Sequence, residues 1–371
     1  MAKSHLHELS EQGVSVWIDS LSREMLETGE LARLMKEDAV VGVTSNPTIF
    51  QKALGTGDWY DKRLAEVLKT EDDPTEIFLQ LAMEDIRDAC DLMRPVWDAG
   101  NGKDGYVSLE VDPTLAYDRE ATFEQAMRLH AEVDKPNLLV KIPATKPGLG
   151  AIEDCIAKGK SINVTLIFSL ERYAEVAEAY VKGLERLVAA GGDPTKVASV
   201  ASFFVSRVDT EADRRLDEIG GKAAKELMGK LAIANAKLAY RHWQETFSGP
   251  RWEFLAGKGA TNQRCLWAST STKNPEYRDV MYVEELIGPE TVNTMPAETV
   301  VAFQDHGKVE PETITKGLNK AEKLLERLAE VGVDYDDVVE TLEAEGVQKF
   351  ADSFEDLLNG IRAKRSELAA V

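Results

Sequence analysis

The sequence predicts an α/β protein folded as a (β/α)8 TIM barrel with extra C-terminal helices. Eight short β-rich runs alternate with longer helical patterns. Several of the runs are almost continuously apolar, as strands buried on both faces of a parallel sheet must be. Polar residues recur at the ends of these runs, where a barrel gathers its chemistry. A doubly wound open sheet is the other architecture that such alternation allows.

The strand candidates are Val14–Ile18, Val40–Thr44, Tyr106–Val111, Asn137–Ile142, Ser161–Phe168, Val197–Val205, Arg264–Ala268 and Val292–Met295. Helical patterns fill the gaps: about Ser22 to Lys36, Pro74 to Trp97 with its proline suited to a first turn, Glu171–Ala190, and a long amphipathic stretch over Glu211–Phe247. Beyond Pro311 the chain turns helical, charged and amphipathic. The expectation is one barrel domain over residues 1–371, with 311–371 a helical extension packed on it. A chain of 371 residues could hold two or three domains of typical size, but α/β barrels run to ~250 residues as one unit.

The net charge of −21, from 65 acidic against 44 basic residues, repels phosphate backbones and anionic lipid. Nucleic-acid and membrane partners are therefore not expected, and any phosphorylated substrate needs a local basic pocket. Cys90, Cys155 and Cys265 are far apart and lack CxxC spacing, which fits a reducing compartment. The first residues carry no apolar secretory core, and no apolar run reaches the ~20 residues of a membrane helix. A cytoplasmic protein is expected, monomer or homodimer.

Several motifs are decoys. Gly100, Gly102 and Gly105 match GxGxxG but end a helical stretch and lead into a strand, the reverse of a dinucleotide site. Gly159-Lys160-Ser161 precedes its strand, and Asp154 stands where a P-loop needs its first glycine. Asn163-Val164-Thr165 fits a glycosylation acceptor but lies inside an apolar run. His5, His7, His130, His242 and His306 form no ligand set; His5 and His7 read as solvated terminal residues. No metal and no cofactor are expected.

The informative residues are polar groups where a barrel should be apolar. Asp19 ends the first strand and Asn46 follows the second. Glu110 sits late in the third, and Lys141 lies within the fourth. Asn163 and Thr165 share one face of the fifth; Ser202 and Phe204 share one face of the sixth, followed by Arg207. A strand-end Asp is often a helix cap and a Lys can snorkel to the rim, but six strands ending this way point to a site. Lys141 is flanked by Leu138, Leu139, Val140, Ile142 and Pro143. Desolvation there disfavours the ammonium form and frees the amine to attack a carbonyl; the iminium so formed is an electron sink for C–C cleavage. Asp19 and Glu110 can supply the proton transfers that this chemistry needs.

In order, WIDS, GVTSNPTIF, SLEVDPTLAYD, LLVKIPAT, INVTLIFS and ASFFVSRVD resemble the successive strand-end motifs of the transaldolase family, from about Val14 to Met295. WASTSTKNPEY and the long tail resemble a longer bacterial subgroup. The resemblance implies a class I aldolase barrel in which Lys141 forms a Schiff base with a ketose phosphate. A dihydroxyacetone unit would pass from sedoheptulose 7-phosphate or fructose 6-phosphate to glyceraldehyde 3-phosphate or erythrose 4-phosphate, in the non-oxidative pentose phosphate pathway. It further implies that Asp19 takes the C4-hydroxyl proton, that Glu110 with Thr165 positions a water, and that Asn46, Asn163 and Ser202 bind substrate hydroxyls. Arg207, Ser269 and Lys273 would take the phosphate. Shorter members carry a compact Ser-x-Arg there; this chain reads Ser269-Thr270-Ser271-Thr272-Lys273, so Ser271 rivals the other two. A fructose-6-phosphate aldolase is the near alternative, although that sister group tends to have Gln at position 110 and Tyr at 204. A non-catalytic sugar-phosphate-binding barrel is the distant one.

Overall fold

A computed structural model of the chain describes residues 4–369. Eight parallel strands close into a barrel in chain order: β1 (Val14–Ile18), β2 (Val40–Val43), β3 (Tyr106–Glu110), β4 (Leu138–Pro143), β5 (Ile162–Ile167), β6 (Ser199–Phe204), β7 (Arg264–Ala268) and β8 (Thr291–Met295). The seam is continuous, with Val14 opposite Thr291 and Ile18 opposite Met295. That pairing rules out the open sheet. Within β5 Leu166 turns to φ 58°, and the register with β6 shifts between Val164 and Ile167. A bulge of this kind bends the strand and re-aims its last side chains.

Two helical expectations need correction. The stretch Ser22–Lys36 is two helices, Arg23–Glu27 and Glu30–Glu37, parted by Gly29 at φ 77°. The long pattern over Glu211–Phe247 is three: Ser206–Ile219, Gly221–Lys225 and Leu231–Thr246. Gly220 and Gly221 sit at φ 69° and 83°, which the interior of a right-handed helix does not accept, so the helix ends before them and a new one starts. Asp209 and Asp213 of the first piece hold the following turn by accepting from Ala232 N at 2.7 Å and Gly229 N at 2.8 Å. The amphipathic period continues across the breaks, so periodicity alone hid them.

A short helix, His5–Glu11, precedes β1 and buries Leu6 and Leu9 completely. His5 and His7 on this helix are half-buried: His5 Nδ1 lies 3.2 Å from Phe303 O and His7 Nδ1 lies 2.6 Å from Ser4 Oγ. The GNGKDG segment is a turn, with Asn101, Gly102 and Gly105 at positive φ before β3. Among the described residues no helix is long and apolar enough to cross a membrane, and Cys90, Cys155 and Cys265 are buried free thiols.

The N-terminal end of the barrel is plugged. Trp17 is fully buried against β2, where a Cβ at Gly42 would meet its ring at 2.5 Å. Burying a side chain of Leu or Phe size is worth about 1.5–3 kcal/mol. At the other end the C-terminal helix, Tyr335–Ala369, crosses the mouth against the helix Pro47–Gly55. Phe354 on it meets Phe78 edge-on at 5.7 Å, and Phe78 meets Phe50 at 5.4 Å. The remaining tail helix, Leu318–Val331, packs on Leu231–Thr246.

Candidate active site

Register begins the assembly. It sets Glu110 of β3 beside Lys141 of β4, and Lys141 beside Asn163 of β5. Side chains at paired positions of parallel strands point to one face, so an amine, a carboxylate and an amide stand at one level inside the barrel. Lys141 is 4 % exposed, and its Nζ donates to Ser45 O at 3.0 Å and lies 3.4 Å from Glu110 Oε2. Neither Glu110 oxygen has a hydrogen-bond partner among the described residues. Burial pushes the Glu110 carboxyl up to about 7, and the Lys141 charge only partly opposes it.

Asp19 lies just past β1. Burial raises its carboxyl above the ordinary aspartate value, against the pull of Lys141 and a 2.6 Å hydrogen bond from Thr44 Oγ1. Thr294 Oγ1 lies 2.6 Å from the same Thr44 oxygen. With the Thr44 proton committed to Asp19, Thr294 donates to Thr44. This relay fixes the carboxylate without neutralising it.

A cavity of about 160 Å³ brings most of the sequence-predicted residues together: Asp19, Asn46, Lys141, Thr165, Ser202, Phe204, Arg207, Ser269 and Lys273 all line it, as does Ser271. Two do not. Asn163 is fully buried beneath it, donating to Ser108 Oγ at 3.0 Å and accepting from Ser202 Oγ at 2.7 Å. Glu110 lies behind Lys141, on a small inner space shared with Ser45, Asn46 and Gln125. Asn46 does double duty: its Oδ1 caps the helix Pro47–Gly55 through Ile49 N at 3.0 Å, which leaves its amide N–H groups for the cavity. The Thr165 hydroxyl is buried and has no partner among the described residues.

The Arg207 guanidinium stacks 5.0 Å over Phe204 and 5.9 Å from Phe350. Burial lowers its pKa, against the pull of Asp19 and Glu110. Lys273 Nζ donates to Ser271 Oγ at 2.7 Å, and the Ser269 hydroxyl pairs with Ser206 Oγ at 2.9 Å. Beyond this cavity opens a chamber of about 510 Å³ lined in part by Lys52, Arg207, Lys273 and Lys349.

Sequence reading missed Thr44, Thr294, Glu298, Lys349 and Phe350, all in one or both spaces. Thr44 lies within the GVTSNP run and could have been found there. Phe350 and Lys349 sit in an ordinary amphipathic pattern and carry no local signal.

A closed (β/α)8 barrel with its polar side chains converging at the C-terminal strand ends is a barrel enzyme. Among the described residues no group of three or more His, Cys, Asp or Glu side chains is placed to hold a metal ion. The family model described as Transaldolase/Fructose-6-phosphate aldolase matches residues 16–361, and the chain belongs to that family. It is 54% identical over 365 residues to a transaldolase of Parafrankia sp. (strain EAN1pec), covering 98% of this chain and 99% of that one. It is 54% identical over 356 residues to a transaldolase of Frankia alni, with 96% of each chain covered. Against a transaldolase of Mycobacterium bovis it is 49% identical over 360 residues, covering 97% of this chain and 96% of the other.

Proposed function

We propose that this enzyme transfers a dihydroxyacetone unit from a ketose phosphate to an aldose phosphate through a Schiff base on Lys141. The observation that carries the reading is the buried Lys141–Glu110 pair, 3.4 Å apart, opening onto a cavity that also holds Asp19 and Arg207. The Lys141 amine adds to the C2 carbonyl of the ketose, and loss of water from the carbinolamine leaves an iminium. Glu110, held near neutrality by burial, suits the proton transfers of both steps; the unpaired Thr165 hydroxyl would share the released water. Asp19 takes the proton of the C4 hydroxyl, the C3–C4 bond breaks, and its electron pair passes to the iminium to give an enamine. An aldose phosphate leaves. The enamine carbon then attacks the aldehyde of the acceptor, Asp19 returns the proton, and hydrolysis frees Lys141.

Asn46 and Ser202 face the cavity and would contact substrate hydroxyls, with Asn163 acting through Ser202. Phe204 holds the plane of Arg207, which with Lys273 and Ser269 or Ser271 would take the phosphate. The substrate pairs are those implied by the motifs, sedoheptulose 7-phosphate or fructose 6-phosphate with glyceraldehyde 3-phosphate or erythrose 4-phosphate, and the reaction would belong to the non-oxidative pentose phosphate pathway. Glu110 and Phe204 favour transfer over simple fructose-6-phosphate cleavage, as do relatives named transaldolase. The chain would work in the cytoplasm as one barrel unit, monomer or homodimer, with residues 311–371 its helical extension.

Borohydride reduction with fructose 6-phosphate should trap a dihydroxyacetone-derived adduct on Lys141, found by peptide mapping. A label on Lys146, or none, overturns the covalent mechanism. Turnover of fructose 6-phosphate should also depend on erythrose 4-phosphate; equal rates without it would mean an aldolase.

A further inference from the structure

The C-terminal helix is tied down on both sides of its middle turn. On one side Tyr335 donates to Asn235 Oδ1 at 2.7 Å, Arg215 pairs with Asp337, and Arg172 lies 3.2 Å from Glu343. On the other, Thr48 donates to Ser353 Oγ at 2.8 Å, Lys364 pairs with Asp61, and Arg365 pairs with Asp72. Between the ties the helix comes down onto the barrel. A Cβ at Gly346 would stand 3.2 Å from Leu166 and 3.3 Å from Phe168, at the end of β5. A glycine inside a helix costs about 1 kcal/mol relative to alanine, and this close approach is its physical reason.

One turn further on, Phe350 is buried with its ring 6.0 Å from Lys141 Nζ and 5.9 Å from the Arg207 guanidinium. It is the roof of the cavity. Its neighbour Lys349 lines the outer chamber with Lys52, Arg207 and Lys273. Four cations thus face one space in a chain of net charge −21. Lys52, Lys349 and Arg207 have no carboxylate within ion-pair distance among the described residues, although Asp19, Glu24 and Glu298 also line this chamber. The like charges repel: Arg207 first, then burial, then Lys273 and Lys52 hold the Lys349 ammonium below the ordinary lysine value. A dianion among them would turn that repulsion into attraction.

We propose that Lys349 reads the substrate phosphate, closing with Lys52 the outer wall of a site whose inner wall is Arg207 and Lys273. The C-terminal extension is then the element that selects phosphorylated over unphosphorylated sugars. This rests on the transaldol-transfer reading, which supplies the phosphorylated substrate.

The test is Lys349→Ala, with Lys349→Arg and Lys52→Ala beside it. A charge-assisted hydrogen bond of roughly 1.5 kcal/mol corresponds to about tenfold in KM. Lys349→Ala should therefore raise KM for fructose 6-phosphate about tenfold with kcat nearly kept, and Lys349→Arg should recover most of the loss. Turnover of unphosphorylated fructose should be unchanged. Inorganic phosphate, titrated against the melting temperature, should need about tenfold higher concentration to stabilise Lys349→Ala. Without phosphate that variant should melt no lower than the parent, because a like-charge repulsion has been removed. An unchanged KM, equal losses for both sugars, or an unchanged phosphate titration overturns the proposal. If the parent protein shows no transfer at all, the functional reading has failed, and the phosphate titration alone decides the role of Lys349.

Discussion

Two cation–carboxylate pairs stand at opposite ends of the same barrel, one partly and one fully buried, and they are built to opposite rules. At the N-terminal end Arg264 lies 3.0 Å from Asp104. That pair is saturated: Arg264 also donates to Ser15 Oγ at 2.8 Å and to Lys103 O at 2.5 Å. Asp104 also accepts from Ser15 Oγ at 2.7 Å and Trp17 Nε1 at 3.1 Å. At the C-terminal end Lys141 and Glu110 lie 3.4 Å apart, and the carboxylate has no hydrogen bond among the described residues. A buried pair repays its desolvation only when its remaining donors and acceptors are met. The lower pair meets that condition and locks the plug around Trp17. The upper pair leaves its carboxylate unmet, and its charge state is correspondingly easy to change. Stability is stored at one end of the barrel and reactivity at the other.

The comparison breaks most sharply on the cations. Arg264→Met should destabilise the fold and lower the melting temperature markedly, because it leaves the partly buried Asp104 carboxylate without its cation. The kcat of whatever folds should be nearly unchanged. Lys141→Met should do the reverse, removing transfer by more than the ~10²–10⁴ that an acid–base group is worth. Its melting temperature should hold, because Glu110 can take up a proton once its partner is gone. Loss of fold in both variants, or of activity in both, would erase the distinction.

The carboxylates sharpen the contrast through pH. Glu110 is raised from 4.5 to about 7, so between those values the folded chain keeps a proton that the unfolded chain releases. Its contribution to stability is present at low pH and lost as pH rises through 7. At pH 8 Glu110→Gln should melt no lower than the parent, while its turnover falls by ~10²–10⁴ and the inflection near pH 7 in kcat disappears. Asp104→Asn, judged by thermal melting at the same pH, should instead lose stability with kcat preserved. A lower melting temperature for Glu110→Gln at pH 8 would mean that the upper pair is structural after all.

The smallest effect belongs to the phosphate contacts. Arg207→Ala should raise KM for fructose 6-phosphate about ten- to a hundredfold, the worth of a charge-assisted hydrogen bond of roughly 1.5–3 kcal/mol. Steady-state kinetics with unphosphorylated fructose should show little change. Equal losses for the two sugars would assign Arg207 to the chemistry or to the fold.

The strands, their order and most of the cavity lining were legible because they follow from local pattern. An apolar run marks a strand buried on both faces, and a polar residue at its end marks the mouth; Asp19, Lys141, Ser202 and Arg207 all obey this and all line the cavity. Asn163 followed the same rule yet lies beneath the cavity, since alternation gives a face but not a depth. The breaks at Gly29 and at Gly220-Gly221 were hidden because helical periodicity continues across them.

By itself, then, the sequence determined an eight-strand alternating fold with an amine and carboxylates at its strand ends, because strand burial and side-chain alternation are written residue by residue. Only the tertiary structure decided that β1 meets β8, that Glu110 stands beside Lys141 with no hydrogen bond among the described residues while Asp104 has several, and that Phe350 and Lys349 arrive from a helix roughly two hundred residues later than Lys141. Those outcomes depend on distances between segments far apart in the chain, and no local pattern encodes a distance.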